Sequence, residues 1–171
     1  MNSEILLAAV KAIEPGTQKR EKCDRAAVNV PTAALFKLMQ RLRDDPPLAF
    51  DMLCTHTAID YPAENRIELV YQLYSITHRH YLMVTTSIPR DRPEAPSLSP
   101  VWKIAEWQER EVYDLFGVLY RDHPDLRRLF LDEPGVVVFF NYRPGRRTYR
   151  TLRIPESVAE RVHRRLRKEE A

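Results

Sequence analysis

The sequence predicts a two-layer α/β (α+β) domain, in which helices pack on a largely antiparallel or mixed sheet, followed by an extended basic C-terminal tail. Three observations predict this architecture. Amphipathic helical segments precede a central pair of alternating strand segments, a further helix follows a proline-rich loop, and the last thirty-one residues are strongly basic. We therefore expect one domain over residues 1–132 and a partner-binding extension over residues 133–171.

The N-terminal part of the domain is predicted to contain two helices and a short strand. The first helix is predicted to begin at Ser3, a suitable N-cap, and to end before Pro15 and Gly16, which break a helix. Residues 26–30 form a short apolar strand candidate. A second helix is capped by Thr32 and ends before two prolines after Asp45.

The centre of the chain predicts an antiparallel meander. Residues 50–59 are strand-like, and residues 66–77 alternate between apolar and polar side chains with the period of a half-buried strand. Residues 81–88 return as the hairpin partner. The four prolines within residues 89–100 predict a loop that does not join the sheet.

The C-terminal part predicts one more helix in the domain and two elements in the extension. Ser99 and Pro100 fit an N-cap and a first helical residue, and Gly117 fits the left-handed end of that helix. Residues 136–140 are predicted to form a strand, and residues 156–168 a basic helix.

Composition excludes several classes of function. The sequence has no run of about eighteen apolar residues that would span a membrane and no basic-then-apolar leader typical of secretion, so we expect a cytoplasmic protein. Its two cysteines are too few for a four-thiolate metal or iron–sulfur site. Its four glycines form neither a Walker loop nor a dinucleotide fingerprint.

The charge is unevenly distributed along the chain. Residues 141–171 hold nine Arg and one Lys against four Glu, a balance of +6, whereas the preceding residues balance at −3. A basic extension indicates an acidic partner, which leaves a protein, a nucleic acid or an anionic lipid open, or else a solvated basic helix.

The helix before Gly117 contains an acid whose burial is ambiguous. On a helical wheel, Trp107 and Leu115 lie within a broad apolar arc, and Glu111 falls between them. The opposite side is predicted to be an exposed charge ladder spaced four residues apart, made of Glu106, Arg110 and Asp114.

A carboxylate on an apolar arc needs a cationic partner or has a raised pKa. Glu111 is therefore either a proton-handling group or a buried clamp to an arginine of the following loop, Arg127 or Arg128. Since no second acid or nucleophile is placed beside it, we favour the clamp and expect Glu111 to be less exposed than Glu106.

The histidines favour structural roles. His123 precedes a proline in a loop with no visible ligand partner, which favours a fixed hydrogen-bonding histidine over a ligand or base. His56 lies on a strand face that is more often buried than reactive. His78 and His80 at the hairpin tip would bind a metal only with ligands from outside, so we expect no metal site.

Two motifs between Trp107 and Arg128 carry a family resemblance, and we call their residues the signature. The run from Trp107 to Gly117, with Glu-Arg-Glu, two residues, Asp and Gly, is followed by His-Pro-Asp-Leu-Arg-Arg starting at His123. Together with Asp60-Tyr-Pro and Pro96-Ser-Leu upstream, this pattern closely resembles the 30 kDa-type subunit of respiratory NADH:quinone oxidoreductase, complex I. Members of that family usually have Gly where this chain has Asp122.

The resemblance implies a fold and a role. It implies a two-layer α/β domain in the peripheral arm of a proton-translocating complex, at the cytoplasmic face of the inner membrane. The implied partners are a hydrogenase-like large subunit and a small iron–sulfur subunit, with membrane contact only through the complex. NADH, FMN, iron–sulfur clusters and quinone would be used by the assembled complex, while this chain would bind no cofactor and hold no catalytic residue.

The resemblance also implies that the signature residues stabilise the fold and an interface rather than act on a substrate. They are Glu109, Arg110, Glu111, Asp114, Gly117, His123, Pro124, Asp125, Arg127 and Arg128. An equivalent subunit of a membrane-bound hydrogenase, formate hydrogenlyase or F420-type dehydrogenase complex is the alternative. A nucleic-acid-binding domain that uses the basic extension is a third hypothesis, which we do not favour.

Overall fold

The computed structural model describes residues 2–21 and 23–130, together with the backbone of a hairpin over residues 136–143 and 146–153. It divides into two compact units, residues 1–127 and 128–171. Within the second unit, strands β8 (Val136–Arg143) and β9 (Arg146–Arg153) pair antiparallel, which confirms the strand predicted over 136–140. The helix predicted over 156–168 lies outside the described residues.

The first unit is a mixed α+β domain, which confirms the fold class. Its five-stranded sheet has the order β1-β2-β5-β4-β3, and β2 runs parallel to β5 while the other neighbours are antiparallel. The strands are β1 (Gln18–Lys19), β2 (Ala27–Asn29), β3 (Met52–Tyr61), β4 (Arg66–Ser75) and β5 (His80–Pro89).

Helices α1 (Ser3–Ile13) and α2 (Thr32–Asp44) share one hydrophobic core with the sheet. The cap residues differ from those predicted. Asn2, rather than Ser3, caps α1 through its side chain. Thr32 is the first residue of α2, and its hydroxyl bonds Thr86 at 2.9 Å instead of capping the helix.

Beyond Pro89, which ends β5, the proline-rich segment stays outside the five-stranded sheet as predicted, but it contains a short strand, and the third helix begins later than predicted. Strand β6 (Glu94–Pro96), inside the proline-rich segment, pairs in parallel with β7 (Leu119–Arg121) in a small separate sheet. Helix α3 (Ala105–Phe116) begins after a series of turns, so Ser99 is not its N-cap. Proline at position 100 is followed by hydrogen-bonded turns, from Val101 N–H to the Leu98 carbonyl at 2.9 Å, before a regular helix forms.

The end of α3 matches the prediction. Gly117 closes it at φ +73°, with its N–H donating to the Tyr113 carbonyl at 2.9 Å. None of the described helices is both long and apolar enough to cross a membrane.

Candidate functional site

The face of helix α3 that is buried against the domain is only in part the one that the helical wheel predicted. Ala105, Glu109 and Val112 are buried, at a spacing of four and three residues, and Ala105 and Val112 belong to the common core. Ala105 and Val112 also belong to the apolar arc of the helical wheel, so that part of the arc is buried as predicted. Trp107 and Leu115 are instead 58% and 44% exposed, so the predicted burial of these two residues is wrong.

The predicted exposed charge ladder is also wrong. Arg110 is 8% exposed and Asp114 is 7% exposed, and Glu106 is half-buried. The physical reason is the loop after β7, which covers this side of α3. The Arg110 guanidinium donates through Nε to the backbone carbonyl of Arg127 at 2.9 Å.

Glu109, not Glu111, is the buried carboxylate. Glu111 is exposed and more so than Glu106, so the expectation of a buried Glu111 clamp is wrong. Glu109 is fully buried, and its Oε1 accepts the backbone N–H of Leu98 at 2.6 Å while its Oε2 accepts the Ser97 hydroxyl at 2.6 Å. The carboxylate thus ties α3 to the segment just after β6.

His123 fixes the loop after β7 to the same helix. Its Nδ1 accepts the backbone N–H of Asp125 at 3.0 Å, so the proton is on Nε2, which donates to the carbonyl of Glu106 at 3.1 Å. The side chain is 1% exposed, and Nε2 lies 3.9 Å from Oε2 of Glu109. The prediction of a fixed hydrogen-bonding histidine is confirmed in this geometry.

A second buried polar group lies below α3, in the sheet. His56 on β3 stacks on Tyr71 of β4 with ring centroids 4.1 Å apart, and its Nδ1 donates to the carbonyl of Val70 at 3.1 Å. Its Nε2 therefore accepts from the hydroxyl of Tyr120 at 2.5 Å. The burial of His56 agrees with the expectation for that strand face. The Tyr120 bond was not foreseen, because β7 is too short to be recognised from a pattern.

Burial dominates the electrostatics of these groups. It raises the pKa of Glu109 to about 7, against the opposing hydrogen bonds from Ser97 and Leu98. It lowers the pKa of His56 to about 4. Burial is also the main cause that raises the pKa of both Tyr71 and Tyr120 well above its usual value, and the charge of Glu109 adds to it.

The remaining signature residues lie at the surface or at turns. Asp125 and Arg127 form an exposed ion pair at 2.9 Å, and Pro124 and Arg128 are exposed. Asp122, where the resembled family usually has Gly, has a left-handed backbone at φ +62°. The departure from the family pattern therefore falls at a position whose conformation favours glycine.

An apolar stripe is exposed on α3 and beside it, and we call it the α3 stripe. It consists of Ile104, Trp107, Leu115 and Leu119, each 44–58% exposed. Single exposed apolar side chains are ordinary, whereas several along one helix and its end are the kind of feature that is common in interaction surfaces.

The buried acid of the site bonds groups of the domain itself. The described residues hold no group of three or more His, Cys, Asp or Glu placed to bind a metal. Both Glu109 oxygens are occupied by Ser97 and Leu98 of the domain itself. The fold and the site define an α+β domain whose buried acid and histidine fasten two loops to one helix and leave an apolar stripe exposed.

Comparisons with known proteins then identify the family. Residues 28–153 match the model of the respiratory-chain NADH dehydrogenase 30 kDa subunit. The corresponding NADH-quinone oxidoreductase subunit of Moorella thermoacetica is 41% identical over 122 residues, covering 71% of this chain and 81% of that protein. The chain belongs to the 30 kDa subunit family of respiratory-chain NADH dehydrogenase, which confirms the resemblance.

Other relatives are longer than this chain. The corresponding subunit of Mycobacteroides abscessus NADH-quinone oxidoreductase is 38% identical over 108 residues, which cover 62% of this chain and 47% of that protein. The chain therefore spans about half the length of the mycobacterial relatives it matches.

Two solved structures share the fold. The trypsin-resistant fragment (1-134) of Nqo5 superposes with a TM-score of 0.63 and 27% identity, covering 74% of this chain and all of that one. A chain of the membrane-bound sulfane sulfur reductase, an archaeal respiratory membrane complex, superposes with a TM-score of 0.67 and 26% identity, covering 77% and 78%.

Proposed function

We propose that this chain is a non-catalytic peripheral-arm subunit of a proton-translocating NADH:quinone oxidoreductase. In that role it supports the subunits that form the quinone site while electrons pass from NADH to quinone. Membership of the 30 kDa subunit family is the observation that carries the proposal. The domain's own features support it, because its buried acid and histidine bond the domain itself.

The proposal assigns the cofactors to other chains. NADH, FMN, iron–sulfur clusters and quinone belong to the assembled complex, and this chain has two cysteines in total, fewer than a four-thiolate cluster needs. The signature residues from Glu109 to Arg128 then stabilise the fold and an interface. The exposed α3 stripe supports the interface part of this assignment.

We propose a hydrogenase-like large subunit and a small iron–sulfur subunit as its partners. The basic extension over residues 133–171 would contact an acidic surface on one of them, since residues 141–171 carry a balance of +6. The complex would hold the chain at the cytoplasmic face of the inner membrane, with no direct insertion of the chain itself.

A second candidate is the equivalent subunit of a related membrane complex, such as a hydrogenase, formate hydrogenlyase or F420-type dehydrogenase complex. The similarity to a chain of the archaeal sulfane sulfur reductase favours keeping this candidate.

Affinity purification of the tagged full-length chain from its native membranes, in mild detergent, tests both candidates. We expect an assembly whose other chains carry flavin, iron–sulfur clusters and NADH oxidation activity. Nickel in the large subunit, without a flavin-bearing NADH-oxidising chain, would favour the second candidate. Recovery of the chain alone, or with nucleic acid, would contradict both.

A further inference from the structure

Three side chains form a continuous line of oxygen atoms from the interior of the domain towards its surface. The hydroxyl of Ser97 lies 2.6 Å from Oε2 of Glu109, and the hydroxyl of Ser99 lies 2.8 Å from that of Ser97. Glu109 is 0% exposed and Ser97 is 2% exposed, whereas Ser99 is half-buried. The line therefore connects a buried carboxyl to a group near solvent.

Both hydroxyls can reverse their direction without losing a bond. A serine hydroxyl donates one hydrogen bond and accepts up to two. With Glu109 ionised, Ser99 donates to Ser97, and Ser97 donates to Glu109. With Glu109 protonated, the acid donates to Ser97, and Ser97 donates to Ser99.

The two backbone hydrogen bonds to these oxygens are compatible with either direction of the serine hydroxyls. The backbone N–H of Ser99 donates to the Ser97 oxygen at 3.1 Å, and the backbone N–H of Leu98 donates to Oε1 of Glu109 at 2.6 Å. Neither backbone donor needs to move when the hydroxyls reverse, so the carboxyl can change its charge while α3 stays attached to this segment.

We propose that Glu109 is a proton-uptake site that exchanges its proton with solvent through the hydroxyls of Ser97 and Ser99. A solvent acid, hydronium or a protonated buffer, delivers a proton to the Ser99 oxygen. The original Ser99 proton passes to the Ser97 oxygen, and the original Ser97 proton passes to Oε2 of Glu109. One proton is taken up, the solvent acid becomes its conjugate base, and no electrons are transferred.

The surroundings of the carboxyl favour a change of charge in the neutral range. Burial raises the pKa of Glu109 to about 7, and the nearby charge of Glu106 acts in the same direction. From the loop after β7, His123 faces Oε2 at 3.9 Å. The tyrosines of β4 and β7, Tyr71 and Tyr120, lie near enough for the Glu109 charge to raise the pKa of each. Beyond them is His56 of β3, bonded to Tyr120.

The relay lies within residues 97–109 and does not depend on which complex the chain joins. It gives the buried acid of the signature a property beyond attachment, since a carboxylate that only fastened a loop would need no path to solvent. A fully buried acid exchanges protons quickly only where a chain of donors and acceptors reaches it.

The test is a pH titration of the full-length chain labelled with ¹³C-glutamate, followed by NMR at the side-chain carboxyl carbon. Through-bond correlation from the Glu109 backbone assigns the resonance without a variant. We expect one Glu109 signal that moves continuously, with a midpoint near the pKa of about 7. A Glu109 carboxyl that does not titrate between about pH 5.5 and 8.5, or that gives two slowly exchanging signals, would overturn the proposal.

Substitution at Ser99 tests the path itself. Ser99→Val and Ser99→Thr have nearly the same shape, but only threonine retains the hydroxyl. We expect Ser99→Thr to exchange like the wild type, and Ser99→Val to exchange about a hundredfold more slowly, the lower range of what a positioned proton-transfer group contributes. The Glu109 carboxyl signal of the Ser99→Val variant should then broaden or split near the midpoint of the titration.

The outcome of this pair decides the proposal. Equal exchange rates in the Val and Thr variants would show that protons reach Glu109 by another route and would refute the relay. Ser99→Ala serves as a second hydroxyl-deleted variant if valine disturbs the loop, with the same expected slowing. Ser87, an exposed serine of β5, provides the control Ser87→Val, which should leave the exchange of Glu109 unchanged.

Discussion

Oε1 of Glu109 accepts the backbone N–H of Leu98 at 2.6 Å, across eleven residues of chain. This bond fastens the middle of α3 to the segment that follows β6, and Oε2 reinforces it through Ser97. Because the carboxyl is fully buried, its loss would leave the Leu98 N–H away from bulk solvent and without an acceptor.

Glu109→Ala is therefore expected to destabilise the domain strongly. It leaves the buried Leu98 N–H unpaired and opens a cavity, which together cost about 2–4 kcal/mol. Urea unfolding of the full-length chain near pH 6 measures the loss. Glu111→Ala on the exposed side of the same helix is the control and should change stability by less than about 0.5 kcal/mol. Equal losses for the two variants would contradict the assignment of Glu109 as the attachment point.

The stability of the wild type should depend on pH through two opposing groups. Glu109 has a pKa of about 7 in the folded chain against 4.5 unfolded, so its contribution falls as pH rises through that window. His56 has a pKa of about 4 in the folded chain against 6.5 unfolded, so its contribution falls as pH drops through that window. Where the windows overlap, the two slopes offset each other.

Glu109→Gln separates these two effects. The amide can still accept from Leu98 and donate to Ser97, but it does not titrate. We expect the variant to gain stability relative to the wild type as pH rises from about 4.5 to 7, by about 3 kcal/mol in total. Urea unfolding of both proteins at several pH values measures this difference. A difference that stays constant with pH would refute the raised pKa.

The tyrosines next to His56 offer a matched pair of hydroxyl deletions. Tyr120→Phe removes the donor to His56 Nε2 and leaves a buried acceptor unpaired, which costs about 1–3 kcal/mol. The Tyr71 hydroxyl is also buried but has no hydrogen-bond partner within the described residues. Tyr71→Phe should therefore be neutral or slightly stabilising. Thermal unfolding of both variants distinguishes them, and a larger loss for Tyr71→Phe would contradict the hydrogen bond as placed.

The order of elements could be predicted because local patterns encode it. The alternation in β4, the apolar spacing of α1 and the glycine after α3 each depend on residues adjacent in sequence. The buried face of α3 could not be predicted in this way. Glu109 is buried by Ser97 and Leu98, and Arg110 by the loop at Arg127, and both partners come from distant parts of the chain.

The error at Trp107 has a related cause. A helical wheel does not distinguish apolar residues that pack in the core of the domain from apolar residues that lie at its surface, where they can contact another chain. The wheel therefore placed Trp107 inside the apolar arc and Arg110 on the exposed side, the reverse of their burial. The recognition of the family did not depend on this error, because it rested on the motif and its spacing.

Substitution of Trp107 tests whether the α3 stripe is an interface. Trp107→Ser should cost the isolated chain less than about 1 kcal/mol, the order of the contact between this exposed ring and Arg110, whose guanidinium carbon lies 5.1 Å from the ring. It should weaken association with the chains that co-purify with the wild type by about 30-fold or more, as expected for a buried aromatic anchor. Quantitative co-purification measures the loss.

The control for Trp107 is an apolar residue of similar exposure on another helix. Ile5 on α1 is 61% exposed, against 58% for Trp107. Ile5→Ser should leave both stability and co-purification unchanged. Undiminished co-purification of Trp107→Ser would show that the α3 stripe is not an interface with those chains.

Two residues with a left-handed backbone conformation, one on each side of β7, allow backbone strain to be tested in both directions, by removing a glycine and by introducing one. Gly117 has φ +73° and no atom within 4 Å of where a Cβ would lie, so Gly117→Ala is disfavoured by conformation alone, at about 1 kcal/mol. Asp122 has φ +62° and already bears that cost, so Asp122→Gly should stabilise the domain by up to about 1 kcal/mol. In urea unfolding, Gly117→Ala should lower the midpoint and Asp122→Gly should raise it, while the dependence of the free energy of unfolding on urea concentration stays the same. Destabilisation by Asp122→Gly would instead mean that the aspartate side chain contributes more than its backbone conformation costs.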